Sequence, residues 1–142
     1  MQQKNQKKFG FRSQCPVSSA LDIVGDKWSL LVIRDLVFQG KKTFSEFAQS
    51  EERIASNILT DRLSRMEQMG ILERGGDKTN KKTVIYTLTE KGVDLLPILV
   101  EYILWSDKYL HHHISAQARQ MAAMLKKQKA AIIKEMREKL LG

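Results

Sequence analysis

Along IASNILTDRLSRMEQMG, the residues Asn57, Thr60, Asp61, Ser64 and Gln68 recur at steps of three and four, which on a helix gathers them on one side. Ser56 opens that strip. Hydroxyl and carboxamide groups spaced in this way can donate to and accept from base edges or phosphates, and an asparagine such as Asn57 can pair bidentately with adenine. Lys78, Lys81 and Lys82 follow in a short basic stretch suited to phosphate. Cys15 is the single thiol, which excludes a disulfide within the chain and any Cys-rich zinc site. His111, His112 and His113 are consecutive and so diverge on a helix, unlike the i, i+4 pairs that chelate metals; they read as a helix end, and no metal or other cofactor is expected.

The elements that must hold these groups follow from periodicity and caps. The opposite arc of the 55–69 segment carries Ala55, Ile58, Leu59, Leu63, Met66 and Met69, a core face. Arg62 falls within that arc, so it is expected to pair with a carboxylate or to run its stem along the core. Upstream, CPVSSALDIVG predicts a short helix with Pro16 in its first turn and Gly25 as its stop. Asp26 then starts a helix, KWSLLVIRDLVFQG, that is apolar on nearly every side and is expected to be central. Thr43 and Glu46 fit a capping box at the start of a short helix bearing Phe44 and Phe47. After Gly70 the period changes to alternation, predicting strands at 71–74 and 83–88 joined by a basic hairpin loop. Thr89 caps a helix running through Val93, Leu96, Leu99, Ile103 and Trp105. Ser115 opens a long last one with a stripe of Ala118, Met121, Leu125, Ile132, Met136 and Leu140. The order predicts a mainly α fold with a small antiparallel β wing, a winged helix-turn-helix.

Composition agrees with one ordinary domain: 142 residues, 42% hydrophobic and 28% charged. The formal charge of +8 points to an anionic partner. Both ends are basic, with Lys4, Lys7, Lys8 and Arg12 at the start and Arg119, Lys126, Lys127, Lys129, Lys134, Arg137 and Lys139 in the tail. No apolar run approaches the roughly 18 residues of a membrane span, and MQQKNQKKFGFRSQ lacks the apolar centre of a signal peptide, so a cytoplasmic location and no membrane partner are expected.

Six stretches in order, CPV, GDKWSLLVIRDL, KTFSEF, IASNILTDRL, MGILER and YTLTEKG, make the chain resemble the HxlR-type bacterial transcriptional regulators, relatives of the MarR group. The resemblance implies a homodimer on pseudo-palindromic double-stranded operator DNA, with the dimer built from N- and C-terminal helices. It also implies that a cysteine in the N-terminal region, here Cys15, senses quinones, aldehydes or oxidants. The position before Pro16 places that thiol at a helix start, where unpaired N–H groups favour a thiolate. The tail after His113 is longer than the usual family member, and Ala55 stands where many members have a capping Ser, leaving those amides to phosphate or water.

These readings divide the chain into a basic arm (1–14), a winged helix-turn-helix domain (15–110) and a helical dimerisation extension (111–142). DNA contacts are expected from Thr43, Ser56, Asn57, Thr60, Ser64, Lys78, Lys81 and Lys82. The plainer alternative is that Ser56 and Asn57 only cap their helix while Thr60 and Ser64 are solvated surface. Asp61 repels phosphate unless it accepts from a cytosine amine or orients a neighbour. Trp28 and Trp105 are expected in the core or the dimer seam, with room beside them for a small-molecule effector. The last helix has no evident partner in a domain complete at Tyr109, so it is expected to pack across a two-fold axis. Two other functions compete: a winged helix that binds protein without an operator, and a thiol enzyme using Cys15, although no Ser, Cys, His and acid set sits together in the sequence.

Overall fold

The structure, a computed structural model, describes residues 9–142, so Lys4, Lys7 and Lys8 of the expected arm lie outside the described residues. The chain divides into two compact units, one ending at Gly92 and the other spanning Val93–Gly142.

In the first unit, α1 (Pro16–Val24) starts after Cys15 and stops at Gly25, whose N–H donates to the Leu21 carbonyl. Helix α2 (Ser29–Phe38) begins three residues after Asp26. The Asp26 carboxylate nevertheless acts as its cap, accepting from Trp28 N (3.1 Å), Ser29 N (3.2 Å) and Ser29 Oγ (2.6 Å). Val32, Ile33 and Leu36 are buried, and so is Asp35. Helix α3 (Phe44–Ala48) carries both halves of the expected capping box. Phe47 is buried from it and meets Tyr86 with ring centroids 6.1 Å apart.

Helix α4 (Ser56–Gln68) buries Leu59, Leu63 and Met66. Each fully buried apolar side chain is worth about 1.5 to 3 kcal/mol, so this arc fixes which side α4 turns outward. Ala55 belongs to the expected apolar arc yet is exposed, because it sits at the N-cap, ahead of the first helical turn. The helix closes on Gly70, at φ +73, with Gly70 N donating to Glu67 O (3.0 Å) and Ile71 N to Met66 O (2.8 Å). That pair of bonds needs a left-handed residue, which glycine supplies without strain.

Strands β1 (Leu72–Gly76) and β2 (Val84–Leu88) pair antiparallel from Leu72 opposite Leu88 to Gly76 opposite Val84. β1 therefore runs two residues beyond the expected end, through Gly75 and Gly76. Tyr86 N also donates to Lys42 O (2.8 Å), tying the hairpin to the approach of α3. α2, α3, α4 and the hairpin pack on one another around this core.

Thr89 caps as expected, accepting from Gly92 N (3.2 Å), but the following helix is not continuous. A single turn, α5 (Glu90–Val93), breaks at Asp94 and Leu95 before α6 (Leu96–Tyr109) begins. Pro97 suits the first turn of a new helix, where its absent N–H has no partner to lose.

The second unit is an antiparallel helical hairpin of α6 and α7 (Ala116–Leu141). Ser115 caps α7, accepting from Ala118 N at 3.1 Å. Acids on the α6 side meet bases on α7 in reversed order: Asp107 with Lys126 (2.5 Å), Glu101 with Lys129 (2.6 Å) and Asp94 with Arg137. The premise that the last helix lacks a partner in its own chain is thus corrected: α6 is that partner. The sequence pattern missed it because these pairings span 19 to 43 residues. Ala122 and Leu125 are buried, whereas Met121 of the expected stripe is exposed. Gln128 interrupts α7 at φ −137, ψ 38, which displaces the stripe beyond it from simple helical register. The three histidines follow α6 in a turn, where His111 Nδ1 lies 3.1 Å from Asp107. Among the described residues no helix is long and apolar enough to cross a membrane.

Candidate nucleic-acid interface

Helix α4 presents Ser56, Asn57, Thr60, Asp61, Ser64 and Gln68 exposed, opposite its buried arc. The strip is therefore built by burial on the other side. Among the described residues the Asn57 carboxamide takes no hydrogen-bond partner. Thr60 Oγ1 donates to Ser56 O (2.9 Å), leaving its lone pairs as acceptors, and Ser64 Oγ accepts from Gln68 Nε2 at 3.4 Å. No side chain caps α4 at Ala55, so its first N–H groups face outward unbonded to a cap.

Thr43 is placed differently. Its hydroxyl accepts from Glu46 N (3.2 Å) and donates its one proton to Glu46 Oε1 (3.0 Å). Glu46 Oε1 also accepts from the amides of Lys42 and Thr43, both at 3.1 Å. The Lys42 amide first, then the Thr43 hydroxyl, hold the Glu46 carboxyl below its usual range. The group is internally complete and fixes how α3 leaves its loop.

The hairpin loop is ordered by its own side chains. Asp77 Oδ1 accepts from Thr79 N and Thr79 Oγ1, both at 2.9 Å, and Asn80 Oδ1 accepts from Lys82 N at 3.1 Å. Lys78, Lys81 and Lys82 are held exposed on that short frame. The site thus has two parts, a nearly uncharged strip on α4, with Asp61 as its carboxylate, and a cationic loop.

Arg62 is anchored to a carboxylate, the first of the two arrangements expected for it. Its Nε donates to Asp26 Oδ2 (2.7 Å) and its Nη1 pairs with Asp61. Burial pushes the Asp26 carboxyl up, but bonds from Ser29, Arg62 and the Trp28 and Ser29 amides outweigh it and the net displacement is downward. The bond to Asp26, then partial burial acting the other way, leaves the Arg62 guanidinium raised. One carboxylate therefore caps α2 and clamps α4. Arg65 adds a second tie, donating to the Asp22 carbonyl (3.4 Å) while its guanidinium lies 5.8 Å from the Phe9 ring. Arg12 N bonds Asp22 Oδ2 at 3.1 Å, which with the Arg12 side chain lowers the Asp22 carboxyl. The Asp26 and Asp22 ties join α4 to the start of α2 and to α1 across separations of 36 and 43 residues, where no local pattern reveals them.

A buried network behind α3 escaped sequence reasoning altogether. Asp35 accepts from Arg34 Nη2 (2.8 Å) and Ser50 Oγ (2.5 Å), while Lys41 Nζ donates to Ser50 Oγ (2.7 Å) and Arg34 pairs with Glu52 (2.7 Å). It fixes the loops on both sides of α3. Asp35 reads as an isolated polar residue in an apolar helix, and only the fold supplies its partners.

A family model described as HxlR-like helix-turn-helix matches residues 23–114. The chain belongs to the HxlR-like helix-turn-helix family. It is a transcriptional regulator of the HxlR type, with a DNA-binding helix-turn-helix, and the winged-helix fold expected from its sequence is present. Over 95 residues it is 37% identical to the HTH-type transcriptional regulator YdeP of Bacillus subtilis, covering 67% of this chain and 73% of YdeP. Over 98 residues it is 36% identical to YodB of the same organism, covering 68% and 87%. The quinone-bound structure of YodB aligns with a TM-score of 0.55 at 35% identity, covering 68% of this chain and all of that one. The oxidised form of the redox regulator HypR aligns at 0.59 and 34%, covering 66% and 96%. All of α7 lies beyond the family match.

Proposed function

We propose that this HxlR-type regulator binds a pseudo-palindromic operator as a homodimer, with α4 in the major groove and the hairpin loop along the backbone. The exposed, nearly uncharged strip of α4 carries this reading: a merely solvated face is better served by Glu, Lys and Arg, whereas Ser, Thr and Asn let a helix approach bases closely. Ser56, Asn57, Thr60 and Ser64 supply the base-facing groups. Lys78, Lys81 and Lys82 stand on the phosphate side, whereas Thr43, its hydroxyl proton and amide both committed to Glu46, serves by fixing the start of α3 rather than by donating to phosphate. Exposed apolar residues support the dimer. Ile98, Tyr102, Trp105 and Tyr109 form a row at helical spacing on α6, with Trp105 57% and Tyr109 61% exposed, and Val17 and Leu21 are exposed on α1. The arm, domain and extension boundaries at 14/15 and 110/111 belong to the same proposal.

A redox or electrophile response through Cys15 completes it. The thiol is exposed at the start of α1, and α1 is tied to α4 through Asp22 and Arg65, so chemistry at one end has a physical route to the other. YodB and HypR, named as quinone-bound and as a redox regulator, make the same class of signal reasonable here. Substituting Asn57→Ala tests the DNA reading. It should weaken operator binding by about 1 to 3 kcal/mol and leave random-sequence binding nearly unchanged, because no phosphate charge is removed. Equal losses on both DNAs remove Asn57 as a base contact.

A further inference from the structure

The geometry points to Asp61 as the residue that makes this protein demand a cytosine within each half-site. Asp61 lies in the middle of the outward strip: Asn57, Asp61, Ser64 and Gln68 fall within about 60° of one another around α4. Its side chain is 54% exposed, while those of its partner Arg62 and of Asp26 are only 21% and 22% exposed. A free carboxylate at this position is repelled by the DNA backbone. Here Arg62 sits beside it and supplies the compensating charge.

Arg62 is itself immobile. Its Nε is held 2.7 Å from Asp26 Oδ2, and Asp26 is fixed by three further bonds to Trp28 and Ser29 at the start of α2. A rigid relay therefore runs from the α2 terminus through the guanidinium to the Asp61 carboxylate, setting its direction without a flexible link. Arg62 serves as a positioning residue; Asp61 meets the base.

An ionised carboxylate only accepts hydrogen bonds, so the base edge must donate. In the major groove, guanine presents N7 and O6, and thymine presents O4 and a methyl group. Adenine offers its N6 amine beside the N7 acceptor, which repels a carboxylate. Cytosine offers the N4 amine next to a C–H edge and is the favoured partner. Asn57, with one donor and one acceptor, suits adenine instead, so the two neighbours on the strip read different bases.

This inference rests on the reading that α4 enters the major groove, and selection from a random duplex library tests the two separately. The wild type should enrich a two-fold motif with one position per half-site at which cytosine is favoured about tenfold. Asp61→Ala should flatten that position and no other, and Arg62→Lys, which keeps the charge but loses the planar fork, should blunt it. A motif in Asp61→Ala identical to that of the wild type overturns the assignment while the groove reading stands. Undiminished cytosine preference in Arg62→Lys overturns the positioning role. No enriched motif in the wild type overturns the groove reading, and this inference with it.

Discussion

Replacing Lys81 and Lys82 with alanine tests whether the hairpin loop follows the DNA backbone. Both lysines are exposed, and the loop is held by Asp77, Thr79 and Asn80, whose side-chain bonds do not involve the lysine side chains, so the fold should survive. Each phosphate neutralised contributes about 0.9 to the magnitude of the slope of log K against log salt. Two lysines on each of two loops should therefore reduce the slope by about 3.6, against about 1.8 for a monomer. Between 50 and 200 mM salt, a fourfold change, the wild type should lose about 150-fold more affinity than the variant does. Fluorescence anisotropy of labelled operator and random duplexes across that range gives both slopes. The reduction should be the same on the two DNAs, since a phosphate contact carries no sequence information. An unchanged slope would refute the placement of the loop, and a reduction near 1.8 would refute two loops per bound molecule.

Three other substitutions probe the supports of the interface. Asp26→Asn should cost about 1.5 to 3 kcal/mol of stability at pH 7, the range for hydrogen bonds to charged groups. Because the folded carboxyl is held below its ordinary range, that contribution is present above about pH 4 and lost as pH falls through the folded value; urea unfolding should show the wild type and variant converging as the pH is taken below the ordinary carboxylate range. A difference that stays constant down to the onset of acid unfolding would show that Asp26 acts by packing alone. Tyr102→Asp with Trp105→Asp should weaken self-association by at least about 2 kcal/mol in sedimentation equilibrium, since a charge is placed in an apolar seam; an intact dimer would place the interface elsewhere. Operator binding by the wild type should fall after diamide or a quinone and return with reductant after diamide, while Cys15→Ser stays insensitive. Equal sensitivity in both would exclude Cys15 as the sensor.

Local chemistry was legible in the sequence, and long-range pairing was not. Thr43 with Glu46, Ser115 and Thr89 are cap signals within four residues, and each is where the pattern put it, as is the change of period after Gly70. The two arcs of α4 were legible because Leu59, Leu63, Met66 and Met69 bury as one stripe. A carboxylate partner for Arg62 was one of two arrangements its place beside the core allowed, and nothing local identified Asp26. Asp35, Ser50 and Lys41 were invisible for the same reason: a buried polar network is defined by loops that meet only after folding. The break at Asp94 and Leu95 was hidden by continuous helical periodicity through Val93, Leu96 and Leu99, with Pro97 as the one overlooked sign. For α7, the pattern offered a basic dimerisation helix without a partner in its own chain, and three of its cations instead pair with acids from Asp94 to Asp107.

The most direct test of the central claim is hydroxyl-radical footprinting of the purified protein on its selected operator, run beside Asn57→Ala. Two protected half-sites with centres about 10 base pairs apart, related by a two-fold axis and lost in the variant at concentrations where random binding persists, are the predicted result. Uniform protection with no symmetric pattern, or no protection at any salt, would contradict the account and favour a winged helix that binds protein rather than an operator.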